Sequence, residues 1–406
     1  MIFCPKIRIV LLASLFLSYS GIMLGQSPYE IILKADALNK AGNPESAISI
    51  LTSSINIKPD SRLYQLRGES FLLKGDYNSA SENFIAANNL KTGSGNYGLA
   101  KVSAIKGDAG SAIRYLENEM KSPSRRNEKD IMLDPAFSLI ENSAEWRKFW
   151  KTEWYSASEK YLTQVEFYLK NGKKDEATEL ISAMEKEYAG YPETIYGKAL
   201  MFIFTGNYTD AVKSVSGLLT AQPENEQYLK LLADAQFRSS NFAGASVTYS
   251  KLIELEIPDA GLLLKRAECY KNTEEFRNAS ADVEKYLSFY PSDKAAVKLA
   301  GSIKSASGDN LGALKFYSDN IKIHPGEADC YIDRAYSYLK SKSWDMAIKD
   351  LSMSLDLDPK NSEVWLNKGI ALINSGNDND ACHDFRMSFN LGNKKATEYI
   401  SRHCIK

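Results

Sequence analysis

An alanine returns every 34 residues through the latter part of this chain, and that period limits the folds open to it more than any other feature. Stepping back from Ala381 in "GNDNDACHDF", the register holds at Ala347, Ala313, Ala279, Ala245, Ala211 and Ala177. Ala112, Ala80 and Ala47 carry it upstream at intervals of 32 and 33 residues. A glycine stands five before many of these alanines, as at Gly42, Gly75 and Gly376, and a large apolar residue four after, as at Phe84, Tyr317 and Phe385. Twelve before lies a small residue such as Gly68, Gly301 or Gly369, and twelve after lies a proline in several copies, among them Pro223 and Pro359. A helix, a tight turn and a second helix meet these demands. Glycine takes the turn, small residues sit where the helices approach, and proline stops the second helix. Neither helix hides its apolar stripe alone, so each unit must stack on its neighbours, which makes the chain all-α.

The period and pattern resemble the tetratricopeptide repeat family. The last copy, "SEVWLNKGIALINSGNDNDACHDFRMSFNLG", carries Trp365, Gly369, Leu372, Ala381 and Phe385 at the family's packing positions. The resemblance implies a right-handed α-solenoid whose concave surface is lined by the first helix of each repeat. Ser240 and Lys342 depart from the pattern by replacing the turn glycine, and the third copy lacks the closing proline. The resulting division is a signal peptide at 1–25, about three repeats at 28–120, an irregular helical junction at 121–157, about seven repeats at 158–393 and a capping helix at 394–406.

Lys6 and Arg8 precede the uncharged run "IVLLASLFLSYSGIMLG", the layout of a secretory signal. Ser18-Tyr19-Ser20 and Gly25 place cleavage between residues 20 and 26, with an uncleaved anchor as the alternative. No other run is apolar enough to span a membrane, so none is expected after signal removal. Losing two cations and no acid takes the formal charge from −1 to −3, a balance that disfavours nucleic acid as partner. Export also places the remaining cysteines, Cys269, Cys330, Cys382 and Cys404, where disulfides persist.

Three histidines in 406 residues, and no readable nucleophile motif or phosphate loop, leave little from which to build a catalytic centre; neither an enzyme nor a cofactor is expected. Cys382-His383 and His403-Cys404 invite a zinc reading, yet neighbours on a helix point about 100° apart and make a poor chelating pair. A hairpin of the last repeat's second helix with a final helix at about 394–404 would instead bring Cys382 near Cys404. A disulfide there is the favoured reading, with two free thiols as the alternative, and cysteine-ended closing helices of exported bacterial tetratricopeptide proteins are similar. In the junction, Asp134-Pro135 and Ser143 mark the starts of two short helices. Trp146, Trp150 and Trp154, spaced by four, would share a face that either covers the end of an array or forms an aromatic docking patch.

Ligand positions in this family fall along the first helices. The resemblance places Tyr97, Tyr196, Lys230 and Lys298 at fifth positions, and Asp36, Glu69, Lys101, Glu166, Asp234, Glu268 and Tyr336 at ninth positions. Tyr97, Tyr196, Lys230, Asp234, Glu268, Lys298 and Tyr336 are the candidate protein-binding residues. The expected function is a non-enzymatic protein-interaction scaffold of the periplasm or cell envelope. A permanent subunit of an envelope or secretion assembly, or a glycan- or peptide-binding protein, are the other classes.

Overall fold

The computed structural model describes residues 27–122 and 125–404; the expected signal peptide lies outside them. Among the described residues the structure is helices joined by turns, without strands. Three hairpins come first: α1 (Pro28–Lys40) with α2 (Pro44–Ile57), α3 (Ser61–Leu73) with α4 (Tyr77–Leu90), and α5 (Asn96–Ile105) with α6 (Ala109–Met120). The junction holds α7 (Glu128–Met132), a single 3-10 turn at Pro135–Phe137 and α8 (Ala144–Phe149). Seven more hairpins follow, α9 (Ala157–Lys170) with α10 (Lys174–Glu187), α11 (Pro192–Phe204) with α12 (Tyr208–Ala221) and α13 (Glu226–Arg238) with α14 (Phe242–Glu254). The rest are α15 (Gly261–Asn272) with α16 (Phe276–Phe289), α17 (Lys294–Ala306) with α18 (Asn310–Ile323), α19 (Ala328–Lys340) with α20 (Trp344–Leu357) and α21 (Ser362–Ser375) with α22 (Asp378–Asn390). A short helix, α23 (Ala396–His403), closes the chain.

Most hairpin turns are encoded locally. The glycine after a first helix takes a left-handed conformation, φ 74° at Gly42, and the next residue caps the second helix, Asn43 Oδ1 accepting from the Ser46 amide at 3.2 Å. Asp76, Asp108 and Asp309 cap their helices in the same way. Ser240, Glu274 and Lys342 hold the turn without glycine, at φ 60°, 62° and 57°, so the surrounding packing imposes a backbone shape their side chains disfavour. Between paired helices, the small residue and the large apolar residue of the repeat prove to be contacts. A Cβ added at Gly68, Gly301 or Gly369 would lie 2.7, 2.5 or 2.5 Å from the ring of Phe84, Tyr317 or Phe385.

A polar rung reinforces several repeats. Arg334 on α19 donates to both carboxylate oxygens of Asp350 on α20, at 2.7 and 2.8 Å, and to Ser318 Oγ of the preceding repeat at 3.2 Å. Arg266 meets Asp282 and Ser250 identically, two repeats earlier, and Arg67 meets Asn83 and Thr52. In the last repeat Lys368 replaces the arginine, 3.2 Å from Asp384 Oδ2 but out of line for a hydrogen bond, and that buried oxygen receives none.

The chain forms two compact units, residues 27–228 with 256–259, and residues 229–255 with 260–404, divided inside α13. In the first unit Glu256 Oε2 lies 2.5 Å from Arg62 Nη1, and Tyr29 donates to the Ile257 carbonyl at 3.0 Å. The junction packs its own core: Ile131, Phe137, Ile140, Trp146, Phe149 and Tyr155 are buried with Ala112 and Leu116 of α6. Asp134 and Ser143 cap the starts of two short helices as expected, the first a single 3-10 turn, but Trp146, Trp150 and Trp154 do not share the helix face their spacing predicts. Helix α8 ends at Phe149, whose carbonyl accepts the indole N–H of Trp154 at 2.8 Å. Trp146 is only 7% exposed and Trp150 and Trp154 pack against the same core, so the three rings close the junction rather than present a patch.

In the second unit α23 packs on α22, and a disulfide joins Cys382 to Cys404. Cys269 and Cys330 are buried thiols.

Candidate protein-binding grooves

Among the cavities of the first unit, two gather the candidate residues Tyr97 and Tyr196 with first helices and the junction. The larger, about 1120 Å³, is floored by α1, α3 and α5 and walled by the junction from Arg126 to Ala136. Within that wall the 3-10 turn packs against α5. Leu73, 63% exposed, and Leu133, 70% exposed, give the cavity an open apolar rim. Tyr97 stands inside it with its ring beneath the Arg126 guanidinium, 4.0 Å away, and its hydroxyl donates to Asp134 Oδ2 at 2.8 Å. Burial, with that hydrogen bond, raises the Tyr97 hydroxyl far above the ordinary phenol range. Lys101 also reaches Asp134, at 3.4 Å. Tyr97 is thus engaged within the wall, and the accessible groups are its neighbours.

One such neighbour is Glu69, which faces solvent from the middle of the groove floor while protein crowds it on several sides; that crowding raises its carboxyl despite Lys101 and Arg126 nearby. On α1, Asp36 is held by Lys40 at 2.6 Å, and Asn39 donates to Ser70 Oγ at 2.9 Å while its amide oxygen stays buried without a donor. Asn39, Leu73, Arg126, Leu133 and Asp134 were not marked by the sequence pattern. Glu69 and Lys101 were legible as ninth-position residues, whereas Arg126 and Leu133 lie in the junction, where no repeat register points to them.

The smaller cavity, about 250 Å³, brings Tyr196 together with Tyr228, Glu166, Glu193, Tyr155 and the start of α7. The Tyr196 and Tyr228 rings are 5.7 Å apart, and burial, with the Glu166 carboxylate nearby, pushes the Tyr196 hydroxyl up to about 12. Burial also raises the Glu166 carboxyl.

In the second unit the remaining candidates occupy first helices in succession. Lys230 is exposed and Asp234 holds Arg238 at 2.9 Å, both on α13. Glu268 is half-buried on α15, Lys298 on α17 reaches Asp333 at 2.8 Å, and Tyr336 on α19 is 42% exposed, its hydroxyl accepting from Asn367 at 3.3 Å. Asp234 and Lys298 are thus engaged by these neighbours, and Tyr336 is the aromatic candidate on this unit's first helices.

Among the described residues no helix is long and apolar enough to cross a membrane. No family model matches the chain, and no curated protein matches it. Some solved structures are similar to this chain at low sequence identity. A tetratricopeptide repeat protein from Parabacteroides merdae ATCC 43184 is 16% identical, the match covering 61% of this chain and 99% of that one at a TM-score of 0.49. Yeast Tom70 is 14% identical, covering 92% and 95% at a TM-score of 0.39, and a chain of the APC/C hetero-tetramer Cut9-Hcn1 is 12% identical, covering 91% and 88% at 0.44. Among the described residues, ten hairpins at a near-constant period, with small and aromatic residues meeting at fixed repeat positions, make an α-solenoid of tetratricopeptide-like helical repeats.

Proposed function

We propose that the protein is a non-enzymatic scaffold of the cell envelope that holds segments of other proteins along its first-helix faces. The open groove of the first unit carries this reading. Its volume of about 1120 Å³ suits a chain segment, and Leu73 and Leu133 expose apolar surface beside it that a soluble monomer gains by covering. Envelope placement draws on the disulfide and on the signal-like start of the sequence. Tyr196 and Tyr336 serve as aromatic anchors, one in each unit.

A photo-cross-linking residue in place of Leu133, Tyr196 or Tyr336, expressed in the native cells, tests the proposal. Recurrent envelope proteins attached at these positions, and absent from controls on second helices, are the expected result. A second reading, a permanent assembly subunit, rests on the exposed stripe Met346, Met353 and Leu357 of α20. Specific cross-links confined to that stripe would replace the groove reading with it.

A further inference from the structure

We infer that the first unit's groove receives a protein segment that directs one lysine or arginine side chain at Glu69 and rests apolar side chains on Leu73 and Leu133. The inference rests on the scaffold reading and adds the chemistry of the partner.

Of the groove's acids, Asp36 is neutralised by Lys40 at 2.6 Å, and Asp134 receives Tyr97 at 2.8 Å and Lys101 at 3.4 Å. Glu69 stands on α3, between the helices that carry those pairs, and receives no hydrogen bond or ion pair among the described residues. Beside it, Asn39 uses its amide N–H on Ser70, and Ser70 donates to the Leu66 carbonyl at 2.9 Å, so the Asn39 amide oxygen is left without a donor. That oxygen is buried, so Glu69 is the unpaired acceptor of the floor that a partner can reach. An ammonium or guanidinium group supplies several donors at once, and beside a crowded carboxylate its attraction is worth more than in open water.

The walls refine the choice. Arg126 lies over the Tyr97 ring and Lys129 stands beside it in the junction, so a segment basic along its whole length meets repulsion there. One base among apolar residues fits both sides. The apolar neighbours settle on Leu73 at the end of α3 and Leu133 just past α7, which flank the groove.

The test uses the full chain with its disulfide intact and three fluorescein-labelled peptides of leucine and glycine. They differ only in the central residue: lysine, norleucine or glutamate. Fluorescence anisotropy should show the lysine peptide binding at least about tenfold more tightly than the other two. Glu69→Gln should bring the lysine peptide to the norleucine level, and Glu82→Gln, on α4, should leave it unchanged. Equal melting temperatures establish that both variants are folded. Equal affinity for lysine and norleucine, no binding of the lysine peptide, or indifference to Glu69→Gln overturns the inference. It fails separately from the scaffold reading: partners captured at Leu133 through segments without a basic residue would leave the scaffold standing and remove Glu69 as its receptor.

Discussion

Replacing Arg334 by methionine leaves the Asp350 carboxylate, with a side chain only 5% exposed, facing the space its two hydrogen bonds occupied. A buried charge deprived of its partner costs on the order of 3 kcal/mol. The reverse change, Asp350→Leu, costs less, about 1.5 kcal/mol, because the Arg334 side chain is 21% exposed and turns toward water. Making both changes together removes the stranded groups, and an apolar pair of similar volume returns to within about 1 kcal/mol of the parent. The cycle therefore predicts an interaction of at least about 3.5 kcal/mol between two residues 16 positions apart. Urea unfolding followed by circular dichroism measures it, provided each variant keeps the parent's slope, because repeat arrays lose cooperativity readily. Hydrogen exchange in α19 and α20 gives the local counterpart. Single changes that simply add, within about 0.5 kcal/mol, would refute the reasoning and reduce the rung to an ordinary surface ion pair.

Lys342→Gly, and likewise Ser240→Gly and Glu274→Gly, relieves a left-handed backbone and should raise stability by roughly 0.5–1 kcal/mol, net of the freedom glycine adds to the unfolded chain. The urea midpoint reads it, and a fall at all three sites would show that their side chains carry more than the strain costs. Gly369→Ala drives a methyl group into the Phe385 ring and should cost roughly 1–3 kcal/mol, while Gly190→Ala, which meets nothing within 4 Å, should cost little. Lys368→Arg restores the two-bond geometry to the last repeat and should stabilise it by about 1 kcal/mol. Burial raises the Asp384 carboxyl above its ordinary 3.8 although Lys368 and His383 lower it. The folded state therefore holds this proton more tightly than the unfolded state, and stability falls as pH rises from about 4 through the raised value. The arginine variant should flatten that slope, and an unchanged melting-temperature profile would count against Asp384 as its origin.

The repeat was legible because its signals are local or strictly periodic. Glycine followed by Asn or Asp writes a turn and a cap within two residues, and Gly369 with Phe385 could be named as small and large positions. Their mutual contact could not, since spacing along a chain does not say which side chains face each other. The arginine rungs escaped notice for a related reason. They skip repeats, and Arg334 draws on Ser318 and Asp350, 16 residues to either side, through three helices. The junction defeated periodicity altogether. A spacing of four among Trp146, Trp150 and Trp154 reads as one helix face, but a six-residue helix that ends at Phe149 gives the later two rings other directions. Of the groove, the ninth-position residues Glu69 and Lys101 were visible in register, while the wall they face comes from the segment without one.

The last hairpin of any stacked array presents the surface that would have met the next hairpin, and another copy of the same protein carries a matching surface. Here α23 lies across that end, with Ala396 buried and Tyr399 stacked on Phe385 at 5.1 Å. It turns Glu398 and Arg402 outward, an ion pair at 2.8 Å. Cys404 ties the helix down from its far end. A second copy stacking on this face would first have to displace α23, and the disulfide makes that displacement require breaking a covalent bond.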